Sequence, residues 1–173
     1  MTVGRLIVIS GLPGVGKTSA AVAVAGRIGA VHLSIDAIEE SILACGLPVG
    51  RQVGVASYEA ARAVAELNLR LGHRVVVDAV NDSELARQTW RAATNAADAD
   101  LLFVHLVVSD PSEHERRVRD RQRGFNHVPE PTWEEVLVRR DECAPWLDEH
   151  IELDTAALSV EEIVDEVIAQ TAS

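Results

Sequence analysis

Gly11-Leu12-Pro13-Gly14-Val15-Gly16-Lys17-Thr18 is the stretch on which the fold turns. It follows the β-branched run Arg5-Leu6-Ile7-Val8-Ile9-Ser10, which reads as a buried strand of a parallel sheet. It leads into a helical stretch from Thr18 to Ile28 that Gly29 is placed to stop. The octapeptide satisfies GxxxxGK[ST] at every fixed position and lies between strand and helix, where that motif must lie. Its glycines let the backbone turn back and aim N–H groups at phosphate oxygens, and the helix N-terminus adds positive potential. On this reading Gly11, Leu12, Pro13, Gly14, Val15, Gly16, Lys17, Thr18 and Ser19 cradle a nucleotide. Lys17 then bridges its β- and γ-phosphates, and the Thr18 hydroxyl binds Mg²⁺.

The basic residues point to the same place. Of the 16, only Lys17 is a lysine and the other fifteen are arginine. An ammonium is a compact point charge and a guanidinium a broad planar fork, so a tight anion site can demand lysine where other positions accept arginine. The chain as a whole is acidic, with 16 basic against 27 acidic residues and a formal net charge of -11. That balance repels nucleic acid backbones and anionic membranes unless a local basic patch overrides it. At 173 residues, 47% hydrophobic and 25% charged, the composition suits one globular domain with a single core. No apolar run approaches the ~20 residues that cross a bilayer, and the first residues carry no secretory signal pattern, so a cytoplasmic protein is expected. Cys45 and Cys143 have no CxxC partner and no nearby histidine pattern, and they read as inert buried thiols.

Beyond the first helix the chain alternates. Residues 31–35 read as a second short strand, 36–44 as a helix, 45–54 as a loop and 57–71 as a longer amphipathic helix closed by Gly72. Residues 74–78 form a third strand ending in a carboxylate, 83–97 a helix and 101–108 a fourth strand. Residues 111–123 and 132–141 read as helices, 150–153 as a fifth strand and 160–169 as the closing helix. This predicts an α/β fold, a single-domain P-loop NTPase whose five-stranded parallel sheet is flanked by helices, with a short arginine-bearing lid at about 112–131. Within the lid, residues 124–131 have the composition of a mobile loop. A GTPase of the usual type needs an NKxD-like motif, for which no lysine is left; an LSGGQ-like transport signature is absent, and an AAA+ motor needs more chain. A compact kinase-like P-loop fold remains.

Ligands of open α/β sheets bind at the carboxyl ends of the strands, which turns Asp36 and Asp78 toward a bound γ-phosphate. Phosphoryl transfer to an alcohol needs a carboxylate that orients the hydroxyl and takes its proton, and Asp36 is the candidate. Asp36-Ala37-Ile38-Glu39 also fits a capping box with Asp36 as N-cap, and one residue at a strand end can do both jobs. Asp78 ends a Val-Val-Val run, near the metal or the acceptor; a turn residue is the plain alternative. Residues 115–123 hold five arginines, and on a continuous helix Arg116, Arg119 and Arg123 share a face that would clamp a phosphoryl group. A solvated charged face is the bland alternative. Trp90, Trp133 and Trp146 read as packing residues.

Together, GLPGVGKT, the strand end at Asp36, the strand VVVDAVN with Asp78 and Asn81, and Arg119-x-x-x-Arg123-Gly124-x-x-x-Val128-Pro129 resemble the zeta-toxin/polynucleotide-kinase-like (AAA_33-type) group of P-loop kinases. That group includes small-molecule enzymes of the chloramphenicol phosphotransferase type. The resemblance implies ATP and Mg²⁺ as cofactors, Asp36 as the base on the acceptor hydroxyl, and Asp78 as a metal- or acceptor-side ligand with Asn81 beside the acceptor. It further implies Arg119 and Arg123 as the lid clamp, Arg119 also touching the nucleotide, and Asp154 and Thr155 in the loop against the adenine. Two departures matter. Polynucleotide kinases of the group carry a basic residue one turn after the base, where this chain reads Ala37-Ile38-Glu39-Glu40, and Val80 stands where DxTN has Thr. The first departure and the net charge favour a small neutral or cationic hydroxyl compound over nucleic acid, because Glu39 and Glu40 would repel an anion. The expectation is an ATP:alcohol phosphotransferase acting on a metabolite or antibiotic. A polynucleotide or nucleoside 5'-hydroxyl kinase, and a regulatory ATP-binding module without transfer, are the alternatives.

Overall fold

The computed structural model describes residues 4–171. Five strands, β1 (Arg5–Ser10), β2 (Val31–Ser34), β3 (Arg74–Asp78), β4 (Asp100–Val107) and β5 (His150–Asp154), form one sheet in the order β2-β3-β1-β4-β5. Every pairing in it is parallel. The helices are α1 (Lys17–Ile28), α2 (Ile35–Leu43), α3 (Arg51–Arg70), α4 (Glu84–Ala97), α5 (Pro111–Arg119), α6 (Trp133–Glu142) and α7 (Val160–Thr171). Side chains alternate across a strand, so Ile7, Ile9, Val76, Val104 and Leu106 meet α1 and α7 on one face. Leu6, Val8, Val75, Val77 and Phe103 meet α2, α3 and α4 on the other. With both faces covered, the central strands are apolar throughout, which is why they read as continuous runs. The winding reverses at β1, and its carboxyl end is the place where such sheets hold ligands. No helix among the described residues is long and apolar enough to cross a membrane.

The α/β expectation and all five strands stand, with four local corrections. The segment 51–56, expected to lie in or beside a loop, is the first part of α3. Val53, Ser57, Ala61, Ala65 and Leu69 recur every fourth residue and are buried, and that stripe outweighs the helix penalty of about 1 kcal/mol at Gly54. α2 begins at the buried Ile35 with Ser34 as N-cap, so Asp36 lies inside the first turn and the expected capping box does not form. α5 stops at Arg119 with Asp120 as C-cap, so Arg123 does not share a helix face with Arg116 and Arg119. Cys45 is exposed and Cys143 half-buried, rather than both being buried.

The buried polar groups tie the layers together. Arg87 of α4 is fully buried and donates to the carbonyls of Asn81 at 3.1 Å and Pro145 at 2.6 Å. Its guanidinium carbon also lies 4.3 Å from the centre of the Trp146 ring. Arg91, one turn on, donates to Asp148 at 2.6 Å and pairs with Glu84. The segment between α6 and β5 is therefore fastened to α4 by two arginines. A buried cation survives only where its donors are satisfied, and removing it would strand the carbonyls it serves. Arg87→Ala is expected to cost about 3 kcal/mol or more and to lower the melting temperature by roughly 10 °C. Arg116→Ala, on an exposed face, should stay within about 0.5 kcal/mol. Thermal and urea unfolding of the two variants checks the contrast.

Candidate functional site

At the end of β1 the backbone turns so tightly that side chains are excluded. Gly11 has φ 142° and a Cβ there would overlap the Leu106 carbonyl; Gly14 has φ 86° and its Cβ would fall 2.7 Å from Val118 Cγ2. His114 of α5 pins this turn from outside, its Nε2 donating to the Pro13 carbonyl at 2.8 Å while its ring meets Trp133 edge-on at 5.1 Å. Burial lowers the His114 pKa, which favours the neutral ring. Gly16, left-handed, is the N-cap of α1 and no side chain caps the helix, so its first N–H groups are presented to the cleft. Lys17 is buried and donates to the Leu12 carbonyl at 2.9 Å. Burial pulls its pKa down to about 8, against the attraction of Asp36 and Asp78.

Across the cleft Asp78 closes β3 with only 2% of its surface exposed. Its carboxylate accepts from Thr18 Oγ1 at 2.9 Å and Ser34 Oγ at 3.4 Å and meets His32 Nε2 at 2.6 Å. A small hard cation takes one or two carboxylates and fills its remaining positions with water and phosphate oxygens, and the Thr18–Asp78 oxygen pair fits that demand. Asp36 is half-buried and holds two cations, Arg123 in direct contact and Arg121 at 3.6 Å. Glu130 sits against the same pair, 2.9 Å from Arg123 and 3.8 Å from Arg121. One turn after Asp36, the Glu40 carboxylate accepts the backbone N–H groups of Asn126, His127 and Val128 at 2.9, 3.0 and 2.9 Å and meets the His127 ring at 2.8 Å. Burial alone would raise the Glu40 pKa; these donors outweigh it and bring it to about 2. Two acids of α2 thus fold residues 121–130 over a cleft of about 770 Å³ lined by Lys17, Thr18, His32, Asp36, Arg121 and Arg123, among others.

Of the residues read from the sequence, the structure brings Lys17, Thr18, Asp36, Asp78 and Arg123 together. Arg119 is not among them: it is 67% exposed and pairs with Glu115 at 2.6 Å. Arg121 stands in its place, because α5 ends one residue before the chain swings toward Asp36. Asn81 does not reach the cleft as expected. It is 1% exposed, donates its amide to Ser10 Oγ and accepts from Trp90 Nε1, both at 2.8 Å, and sends its N–H to Tyr58 Oη at 3.2 Å. Its φ of 54° turns the chain so that one residue joins β1 and α4 through its side-chain amide and α3 through its backbone N–H. Asp154 shapes its own loop, accepting from the Ser109 N–H at 3.1 Å and the Ala156 N–H at 2.9 Å. Thr155 is held by Arg117, which donates to its hydroxyl at 2.8 Å and its carbonyl at 3.0 Å, linking this loop to the cleft. Sequence reasoning passed over His32 and His114, and it counted Arg117 and Arg121 in the five-arginine run while giving the clamp to Arg116, Arg119 and Arg123. The arginine run was thus the signal for Arg117 and Arg121, whereas His32 is placed only by the register that sets Ser34 beside Asp78.

Solved structures share this architecture. A protein from Chloroflexus aurantiacus superposes with a TM-score of 0.81 at 19% identity, covering 97% of this chain and 98% of that one. The APS kinase of Mycobacterium tuberculosis in complex with AMPPNP and APS gives 0.71 at 21% identity, covering 100% of both chains. A gluconokinase from Sinorhizobium meliloti gives 0.65 at 22% identity over 99% of this chain and 94% of that one. At these identities the likeness is one of fold. No curated protein matches the sequence. The sequence profile described as AAA domain, AAA_33, matches residues 6–143, from β1 through the glycine-rich turn, both acidic strand ends and the arginine segment to the end of α6. With that span of its 173 residues matched, the chain belongs to the AAA_33 family of AAA domains.

Proposed function

We propose that this chain is an ATP- and Mg²⁺-dependent kinase that moves the γ-phosphate to a hydroxyl group of a small molecule, working as a single domain with residues of about 112–131 as its lid. The observation that carries the reading is the meeting of Asp36, Arg121 and Arg123 above the glycine-rich cradle in one cleft. A structural relative that binds AMPPNP and another named a gluconokinase support the nucleotide and the acceptor class. The N–H groups at the start of α1 and Lys17 would hold the β- and γ-phosphates. Thr18 and Asp78 would hold Mg²⁺, which when bound neutralises charge on the transferring group. Arrival of the triphosphate offers Arg121 and Arg123 a more highly charged partner than Asp36, and so frees that carboxylate for the acceptor. The acceptor oxygen then bonds to the γ-phosphorus as the bond from that phosphorus to the β–γ bridging oxygen breaks. The electron pair leaves with ADP, and the hydroxyl proton passes to Asp36. Glu40 is engaged by the backbone of residues 126–128, so the acidic surroundings of the acceptor come from Asp36 and Glu39 rather than from Glu40. A cavity of about 790 Å³ beside α2 has a mainly apolar lining, Ile35, Val55, Val80 and Leu85 among it, with Glu39, Tyr58 and Arg139 as polar members, which supports a small acceptor carrying both hydroxyl and apolar groups.

Transfer of label from γ-labelled ATP to a panel of hydroxylated antibiotics, sugars, nucleosides and a 5'-hydroxyl oligonucleotide tests the reading. A labelled small molecule is the expected product; label on the oligonucleotide alone, or tight ATP binding with no transfer to any acceptor, would overturn it. Once an acceptor is found, Asp36→Asn should lower kcat by roughly 10²–10⁴-fold and leave ATP affinity within a few-fold, as removal of a general base does. Arg123→Ala should lower kcat at least about 100-fold while Arg119→Ala changes it little, which separates the cleft arginine from the exposed one. Lys17 has a pKa near 8 in the free protein and must be cationic to hold phosphate. Above pH 8 nucleotide binding must therefore take up a proton, and Kd should rise by up to about tenfold per pH unit. Calorimetric titration between pH 7 and 9.5 reads that slope, and Lys17→Gln should bind more weakly with a flat profile.

A further inference from the structure

We infer that His105, His150 and Glu152 form a binding site for a late first-row divalent ion, Zn²⁺ being the one the donor set suits best. In the β4–β5 register His105 stands opposite Glu152 and Phe103 opposite His150, so the three side chains emerge on one face of the sheet edge. One ligand atom from each lies within 4.8 Å of the other two, the one such cluster among the described residues. The His105 Nδ1 to Glu152 carboxylate separation is 3.2 Å. Two ligands of a tetrahedral zinc ion, bound at about 2.0–2.1 Å, stand roughly 3.3 Å apart. The two imidazole centroids are 6.0 Å apart, against roughly 5 Å for two rings sharing such an ion, so a small rotation closes the site.

The chemistry of the donors agrees. A carbonyl only accepts, so His150 Nδ1, 2.9 Å from the Asp148 carbonyl, carries the ring proton and leaves the Nε2 lone pair free. A backbone carbonyl that fixes the tautomer in this way is the usual support of a metal-bound imidazole. Burial lowers the pKa of His105, which favours its neutral, ligating form. An ion entering between His105 and Glu152 replaces the hydrogen at that contact, the ring proton moving to Nε2. The platform is rigid: Trp146 stacks on His150 with centroids 4.5 Å apart, lies 5.2 Å from His105, and is held by Arg87. Two nitrogens and one oxygen suit Zn²⁺, Ni²⁺ or Co²⁺ and not Mg²⁺ or Ca²⁺, which want oxygen alone. The exposed Glu152 provides the entry, and water completes the shell. Bound there, the ion would clasp the edge strand β5 to β4 next to the loop of Asp154 and Thr155.

The test uses untagged, metal-free and nucleotide-free protein, titrated with Zn²⁺ by calorimetry and with Co²⁺ by visible absorption. One equivalent should bind with a micromolar Kd, raise the melting temperature and give the intense band of a four-coordinate cobalt site. His105→Ala and His150→Ala should each weaken binding at least about tenfold. Glu152→Gln, at an exposed position that leaves the fold intact, should weaken it several-fold, and Cys45→Ser/Cys143→Ser should leave it unchanged. Absence of a one-equivalent event, binding indifferent to Glu152→Gln and His150→Ala, or binding lost on His32→Ala instead would overturn the proposal.

Discussion

A carboxylate almost sealed from water is costly to keep charged, and Asp78 is in that position. It is tolerable because three neighbours converge on it, Thr18 from the start of α1 and His32 and Ser34 from β2. Those three lie on elements adjacent to β3 only because β1 occupies the centre of the sheet with β3 beside it and β2 beyond. The demand for Asp78 to be satisfied therefore fixes the spacing between the glycine-rich turn and the end of β3. Asn81, three residues later, holds the other side by joining Ser10 to Trp90. The cleft is built on a polar frame whose members each answer to more than one element.

The second organising feature is the use of charge in an acidic protein. With net charge -11, free arginines are drawn to carboxylates wherever one is near, and Asp36 and Glu130 draw Arg121 and Arg123 away from α5 and over the cleft. Arg116 and Arg119, lacking such partners across the cleft, pair with acids of their own helix and stay at the surface. Two destinies for arginines of one short segment follow from where the helix ends.

That is also where the sequence stopped being legible. GLPGVGKT, the apolar strands and the terminal acids fix the fold class and four members of the site, Lys17, Thr18, Asp36 and Asp78, because each obeys a local rule of period or spacing. The end of α5 obeys no local rule. Its continuation to Arg123 is sound by propensity and is overridden by ion pairs of Arg121 and Arg123 with Asp36, more than eighty positions away, and with Glu130. Asp36 illustrates the same point from the other side: its capping pattern is valid in sequence, but the burial of Ile35 moves the N-cap two residues back, to Ser34. His114 and Arg117, which brace the turn and the loop after β5, act across the fold on carbonyls, and a carbonyl leaves no trace in a sequence.

Glu40 holds residues 126–128 by their backbone, through three amide protons that any residue but proline would supply. The grip is for the most part blind to side-chain identity, the His127 ring being its one specific element. Substitutions among Asn126, His127 and Val128 can thus accumulate while the segment stays docked on α2. The surface facing the cleft is free to diversify on a closure that does not, which separates the evolution of specificity from the preservation of mechanics.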